Sequence, residues 1–231
     1  MKHRIAHFKP FAAFAAVAGA AAALSPLAAG HEVDSYYKTK YAVPRTVQVY
    51  FNSDFPGGRF RDRARDAVQP WNNRPPRLDF NVHSEGSAGT SAEQVRNECS
   101  RTRANHYPPS VLFYGPTQIG QRGRIAFTQP CIRFASPNRV MFFFQVYDSE
   151  TTWYTGTGDA PASAYDFLSI ATHEFGHGTG FEGHFDQQQP WSGICANNAS
   201  RPTMCAAEDP GRERLRTLEN HDVHTFDAAY P

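Results

Sequence analysis

Between His173 and Phe185 the chain reads HEFGHGTGFEGHF. His173 and His177 are four residues apart, Glu174 lies between them, and His184 follows. Residues four apart on a helix are neighbours one turn up, so both imidazoles can reach a single ion. Zinc held by three protein ligands keeps a fourth position for water and lowers the pKa of that water towards about 7. Glu174 stands to one side of the two ligands. A carboxylate there can take the proton of the water and later deliver it to a leaving amine. The chemistry these residues allow is hydrolysis of a peptide bond by a zinc-bound water, with Glu174 as general base and His173, His177 and His184 as ligands.

Three carboxylates compete for the role of third ligand. Asp186 and Glu182 flank His184, and Glu208 would serve in a different arrangement. Imidazole is the commoner zinc ligand and favours His184. Were both His184 and Asp186 to bind, the site would be closed. The chain would then be a secreted binding protein with structural zinc, the alternative to an enzyme. His221 and His224 read as surface residues of a helix, and no role is assigned to His83 or His106. Asp222 reads as a helix-terminus charge.

The histidines need a rigid helix behind them. Ser163 or Asp166 can cap one that runs to about Gly178. Ala164, Leu168, Ala171 and Phe175 form its apolar back, while Asp166 and Ile170 share the side of the histidines. Gly180 is placed to end it in a sharp turn. Upstream, Arg45–Phe51 alternates as a strand does, and Phe60, Ala64, Ala67, Val68 and Trp71 recur at helical spacing up to Pro75-Pro76. Further strands are expected at Leu78–Val82, Val111–Tyr114, Arg124–Thr128 and Val140–Tyr147, with a turn at Gly120–Gly123. Residues 84–107 read as a long loop containing one short helix, and residues 31–44 as a polar N-terminal arm. A last helix is expected near Asn220–Ala229. Trp153, Tyr154 and Tyr165 belong either to the cleft or to the core.

The N-terminus differs in kind. Lys2, Arg4 and Lys9 precede an apolar run from Phe11 to Leu24, and Ser25-Pro26 and small residues follow it. This is the pattern of a secretory signal peptide over 1–30, and the run is short of the roughly 20 residues of a membrane span. Residues 31–231 then form one secreted, extracellular domain with no membrane attachment. Charge is balanced, with 23 Lys+Arg against 22 Asp+Glu. That gives no reason to expect nucleic acid as a partner. Four cysteines in an exported chain read as two disulfides. Of the three possible connectivities, Cys99–Cys131 and Cys195–Cys205 close the shorter loops.

With these residues assembled, the chain resembles the metzincin zinc peptidases, and among them the matrixins, the matrix-metalloproteinase type. FLSIATHEFGHGTG is similar to their active-site helix, RPTMC to their Met-turn and LENHDVHTFDAAYP to their closing helix. RIAFTQP and VQPWN resemble, more weakly, their edge strand and the end of their first helix. The resemblance implies an α+β fold with a twisted, mixed five-stranded sheet, an active-site helix and a C-terminal helix. It also implies a monomeric endopeptidase with one catalytic zinc and a protein or peptide substrate. That substrate would lie along the edge strand, bonded to the backbone of Ile125 and Ala126. Met204 would sit under the metal as a support, with the Cys195–Cys205 bond fixing the floor of the site.

The pattern departs from the family in three respects. In HExxHxxGxxH the third ligand falls six residues after the second; Gly183 holds that place, and His184 comes one later. Gly178 and Gly183 supply the backbone freedom for one extra residue. Matrixins also hold a second zinc, and calcium, before the edge strand. Residues 107–147 contain neither His nor Asp, so structural zinc is expected to be absent, with Cys99–Cys131 tying that region; calcium is left open. No pro-segment is visible between the signal and the first strand.

Overall fold

The computed structural model describes residues 36–42, 45–74, 78–86, 91–101, 109–116, 124–133, 139–187, 191–196, 201–206 and 208–231. The expected signal peptide, Pro75-Pro76 and the turn at Gly120–Gly123 lie outside them.

Alternation in RTVQVYF buries Val47, Val49 and Phe51, and β1 spans Arg45–Phe51. It is joined in parallel by β2 (Leu78–Gly86) on one side and β3 (Ser110–Gly115) on the other. β5 (Arg139–Asp148) pairs parallel to β3, and β4 (Ala126–Arg133) pairs antiparallel to β5. The order is β2-β1-β3-β5-β4, a mostly parallel five-stranded sheet with β4 at an edge. Pro130 is tolerated in β4 because an edge strand can spare an N–H.

Several boundaries differ from the sequence reading. The edge strand begins at Ala126 and not Arg124, and runs on to Arg133, because β5 offers partners along its whole length. β2 continues four residues beyond Val82, to Gly86. The stretch read mainly as loop carries a ten-residue helix, α2 (Ala92–Arg101). Val95 of α2 packs on the sheet face formed by Val111, Phe113, Phe127, Phe142, Phe144 and Val146, and Cys99 is disulfide-bonded to Cys131 of β4.

The opposite sheet face holds the main core. α1 (Arg59–Asn72) lays Ala64, Ala67, Val68 and Trp71 into it, and α3 (Phe167–Gly178) contributes Phe167, Ala171 and Phe175. The two helices are joined where Trp71 Nε1 donates to Thr172 O at 2.9 Å. A short parallel pair, β6 (Trp153–Tyr154) with β7 (Tyr165–Asp166), leads into α3. The last helix, α4 (Asn220–Ala229), sets Phe226 against Trp71 with ring centroids 5.5 Å apart.

Within the N-terminal arm, residues 36–42 form a strap with buried side chains, contrary to its polar reading. Tyr36, Tyr37, Thr39 and Tyr41 are all buried. Tyr36 stacks on Phe181 at 4.9 Å, and the Tyr37 hydroxyl lies 3.0 Å from Thr179 Oγ1. Three tyrosines in so short a segment carry enough apolar area to bind it down.

Candidate metal centre and cleft

α3 begins where Asp166 caps it, accepting from Ser169 N at 2.8 Å; Arg216 Nη2 is paired to the same carboxylate at 2.7 Å. The helix is buried almost all round; only Leu168 and His177 are half-buried. The sequence reading gave it one core face and one open face. The open side is in fact a narrow strip, because the segments after α3 fold back over it.

That return path fixes the histidines. Gly178 stays helical, so the backbone freedom is spent at Gly180 (φ 99°) and Gly183 (φ 75°). A side chain at Gly180 would also drive its Cβ to 2.5 Å from Thr39 O. The reversal brings Phe181 O to 2.9 Å from His177 Nδ1, and the loop near Met204 brings Thr203 O to 2.6 Å from His173 Nδ1. A carbonyl only accepts, so each Nδ1 carries the proton and each Nε2 presents a bare lone pair. The second positive-φ glycine swings His184 into place despite the extra residue.

The three Nε2 atoms then meet. His173 and His177 are 3.2 Å apart, His177 and His184 3.3 Å, and His184 and His173 3.2 Å. With the first two nitrogens both unprotonated, their approach is not a hydrogen bond; a cation at the centre is what such lone pairs suit. Burial and the neighbouring imidazoles hold the rings neutral. His173 is pushed well below the usual histidine range by burial, then by His177 and His184. His177 is pushed down to about 4 by burial and His184, and His184 is lowered chiefly by burial. His173, His177 and His184 can therefore hold a metal ion, and they are the one such group of three among the described residues.

The rival carboxylates stand outside the histidine group. Asp186 Oδ1 accepts from Ala206 N at 2.8 Å, and Glu182 Oε1 accepts from Thr39 Oγ1 at 3.2 Å. Glu208 is ion-paired to Arg214 at 3.2 Å. His221 is half-buried with its ring near Phe185, not on the surface as expected, whereas His224 is exposed.

Glu174 is 5% exposed, and its Oε2 accepts from Thr128 Oγ1 at 2.6 Å. Burial pushes its carboxyl up to about 7, against the opposing pull of the Thr128 hydroxyl and the Arg124 charge. Glu174 and the three histidines line a cleft of about 630 Å³. Ile125, Ala126 and Thr128 form one wall, and Tyr165, Glu208 and Leu215 lie on its border. Tyr165 is thereby a cleft residue, whereas Trp153 packs against the core with Tyr147 and Phe167.

Below the histidines, Met204 is fully buried against Gly176, whose missing Cβ would lie 2.1 Å from Met204 Sδ. Asp222 fixes this loop, accepting from Thr203 N at 2.7 Å and Met204 N at 3.0 Å while also capping α4 through Glu219 N at 2.9 Å. Cys195–Cys205 is a disulfide beside it.

Sequence reasoning missed four contributors: the carbonyls of Phe181 and Thr203, the contact surface of Gly176, and the Thr128 hydroxyl. A carbonyl leaves no trace in residue identity. Thr128 had a signal, a lone hydroxyl on the inward side of an otherwise apolar strand. No protein-family model matches this sequence, and no curated protein matches it.

Proposed function

We propose that the chain is a secreted zinc endopeptidase of the metzincin type, matrixin-like in its site. The observation that carries the reading is the convergence of three imidazole Nε2 atoms beside a buried glutamate, open to a cleft. Their separations of 3.2–3.3 Å suit zinc, since tetrahedral bonds of about 2.0–2.1 Å space ligand nitrogens about 3.3–3.4 Å apart. The carboxylate that would close the site, Asp186, stands outside the histidine group and accepts from Ala206 N through Oδ1, which favours a catalytic centre over a structural one.

When bound there, zinc supplies a Lewis acid that polarises a carbonyl and acidifies a water. Were zinc held by His173, His177 and His184, Glu174 would stand beside the cleft as the group that takes a proton from the attacking water and returns it to the leaving nitrogen. The edge strand receives the substrate backbone. Ile125 O already accepts from Asp148 N at 2.8 Å, so its carbonyl is not available, contrary to the sequence expectation for that residue. Ladder alternation instead turns the N–H and C=O of Ala126 to the free edge of β4. An extended peptide adding there would run past Glu174 and the metal. The two disulfides and the signal-like N-terminus favour an extracellular site of action.

The test is incubation of the zinc-loaded protein with a complex peptide mixture, with new termini mapped by mass spectrometry. Cleavage is expected to fall by about 10²–10⁴-fold in Glu174→Ala. Cleavage that survives that substitution, or a zinc-loaded wild type that leaves the mixture intact, would sink the proposal.

A further inference from the structure

We infer that Thr128 is the positioning residue for Glu174, holding its carboxylate by Oε2 and leaving Oε1 free to face the cleft. The inference rests on the reading of Glu174 as general base. The Thr128 hydroxyl lies 2.6 Å from Glu174 Oε2 and 2.9 Å from Glu174 O. It has one proton for two acceptors. The carbonyl sits inside α3 and already serves its own helix turn, whereas a carboxylate is the stronger acceptor and makes the shorter bond. The proton therefore goes to Oε2.

The hydroxyl is itself firmly placed. Thr128 lies directly opposite Gln145 in the β4–β5 ladder, so the two side chains share the sheet face that packs on α3. Along that face β5 presents Phe143, Gln145 and Tyr147, all buried. Gln145 is fully buried; its Oε1 accepts from Tyr147 Oη at 2.7 Å, and its Nε2 finds no hydrogen-bond partner. A sheet that only had to support a helix would be apolar here, since an unpaired buried amide is costly. This sheet instead keeps a hydroxyl, an amide and a phenol together on the face beneath Glu174. The alternative is that Thr128 merely satisfies a helix carbonyl, and the two roles differ in what the hydroxyl does to the carboxylate.

The experiment uses zinc-loaded protein labelled with ¹³C at the glutamate carboxyl, as wild type, Thr128→Val and Thr128→Ser. The Glu174 resonance is assigned by its loss in Glu174→Gln. It is expected to move in Thr128→Val, which keeps the shape but lacks the hydroxyl, and to return in Thr128→Ser. On a cleaved peptide, Thr128→Val is expected to lower kcat by about 10–100-fold with KM and zinc content little changed, the scale for a misplaced catalytic group; Thr128→Ser should recover most of it. A Glu174 resonance that stays put in Thr128→Val, or a kcat within about twofold of wild type, would overturn the assignment. A resonance that moves in a protein that cleaves nothing would uphold the hold of Thr128 on Glu174 and refute the peptidase reading alone.

Discussion

Gly176 sits on α3 between the two helical histidines, and replacing it with alanine tests how tightly the metal centre is backed. Its backbone is ordinary helix, so alanine by itself would stabilise by roughly 0.5–1 kcal/mol. Space argues the other way. The new Cβ would lie 2.1 Å from Met204 Sδ and 2.8 Å from Trp71 Cζ2. Ordinary contact is about 3.4–4 Å, so Met204 must retreat by more than an ångström. It has little room, being 0% exposed, with its N–H on Asp222 at 3.0 Å and its carbonyl on Phe185 N at 3.1 Å. Trp71 is pinned by its bond to Thr172 O. Overpacking of this kind costs about 1–3 kcal/mol, so the net expectation is a loss of about 1–2 kcal/mol, or about 2–8 °C in Tm for a domain of this size. Any shift of the loop also carries Thr203 O away from His173 Nδ1, so zinc should bind more weakly. The assay is thermal unfolding with and without zinc, on Gly176→Ala, Met204→Ala and the double variant. Removing the Met204 side chain should relieve much of the alanine clash, giving a coupling of about 1 kcal/mol. A Gly176→Ala protein as stable as wild type with undiminished zinc affinity would refute this reasoning, as would strict additivity in the cycle.

Three further outcomes are expected. His184→Ala should lose zinc affinity by more than the about 10–100-fold typical of an outer-shell change, whereas Asp186→Ala should retain zinc and lose stability through its bond to Ala206 N; calorimetric zinc titration of both separates the two roles. In metal-free protein His177 should contribute a loss of stability as pH falls from about 6.5 to 4, opposed by Glu174 and Asp222, whose raised carboxyls take up protons first in the folded state. His177 is depressed to about 4, so the unfolded chain binds its proton first, at a cost of about 3 kcal/mol for that group. Urea unfolding across this range should show wild type losing stability relative to His177→Gln as pH falls, and a difference between the two that does not change with pH would contradict the assignment. Tyr36→Ala should cost about 3–5 kcal/mol by stripping an aromatic ring from Phe181 and Phe185, and should loosen the segment that carries His184; retention of both Tm and zinc would show that the strap is dispensable.

The sequence by itself determined the elements whose cause is local. Alternation in RTVQVYF, the helical spacing from Phe60 to Trp71, the Asp166 cap and the HEFGH repeat each rest on contacts within a few residues, and each appears with boundaries close to those expected. The cysteine pairing was legible too, because loop closure favours near partners. The edge strand was placed two residues early, and the short helix expected within residues 84–107 was given no bounds. Their limits are set by β5 and by the sheet face under Val95, which lie elsewhere in the chain. The tyrosine strap was misjudged for the same reason: its aromatic partners, Phe181 and Phe185, lie far along the chain. At the site, residue types named His173, His177 and Glu174, and favoured His184 over Asp186. The tertiary structure brings His184, and not Asp186, to the other two histidines through two positive-φ glycines. It alone revealed the carbonyls of Phe181 and Thr203, which set the tautomers, and the hydroxyl of Thr128. Backbone groups are the same in every residue, so which of them meets an imidazole is a property of the folded path.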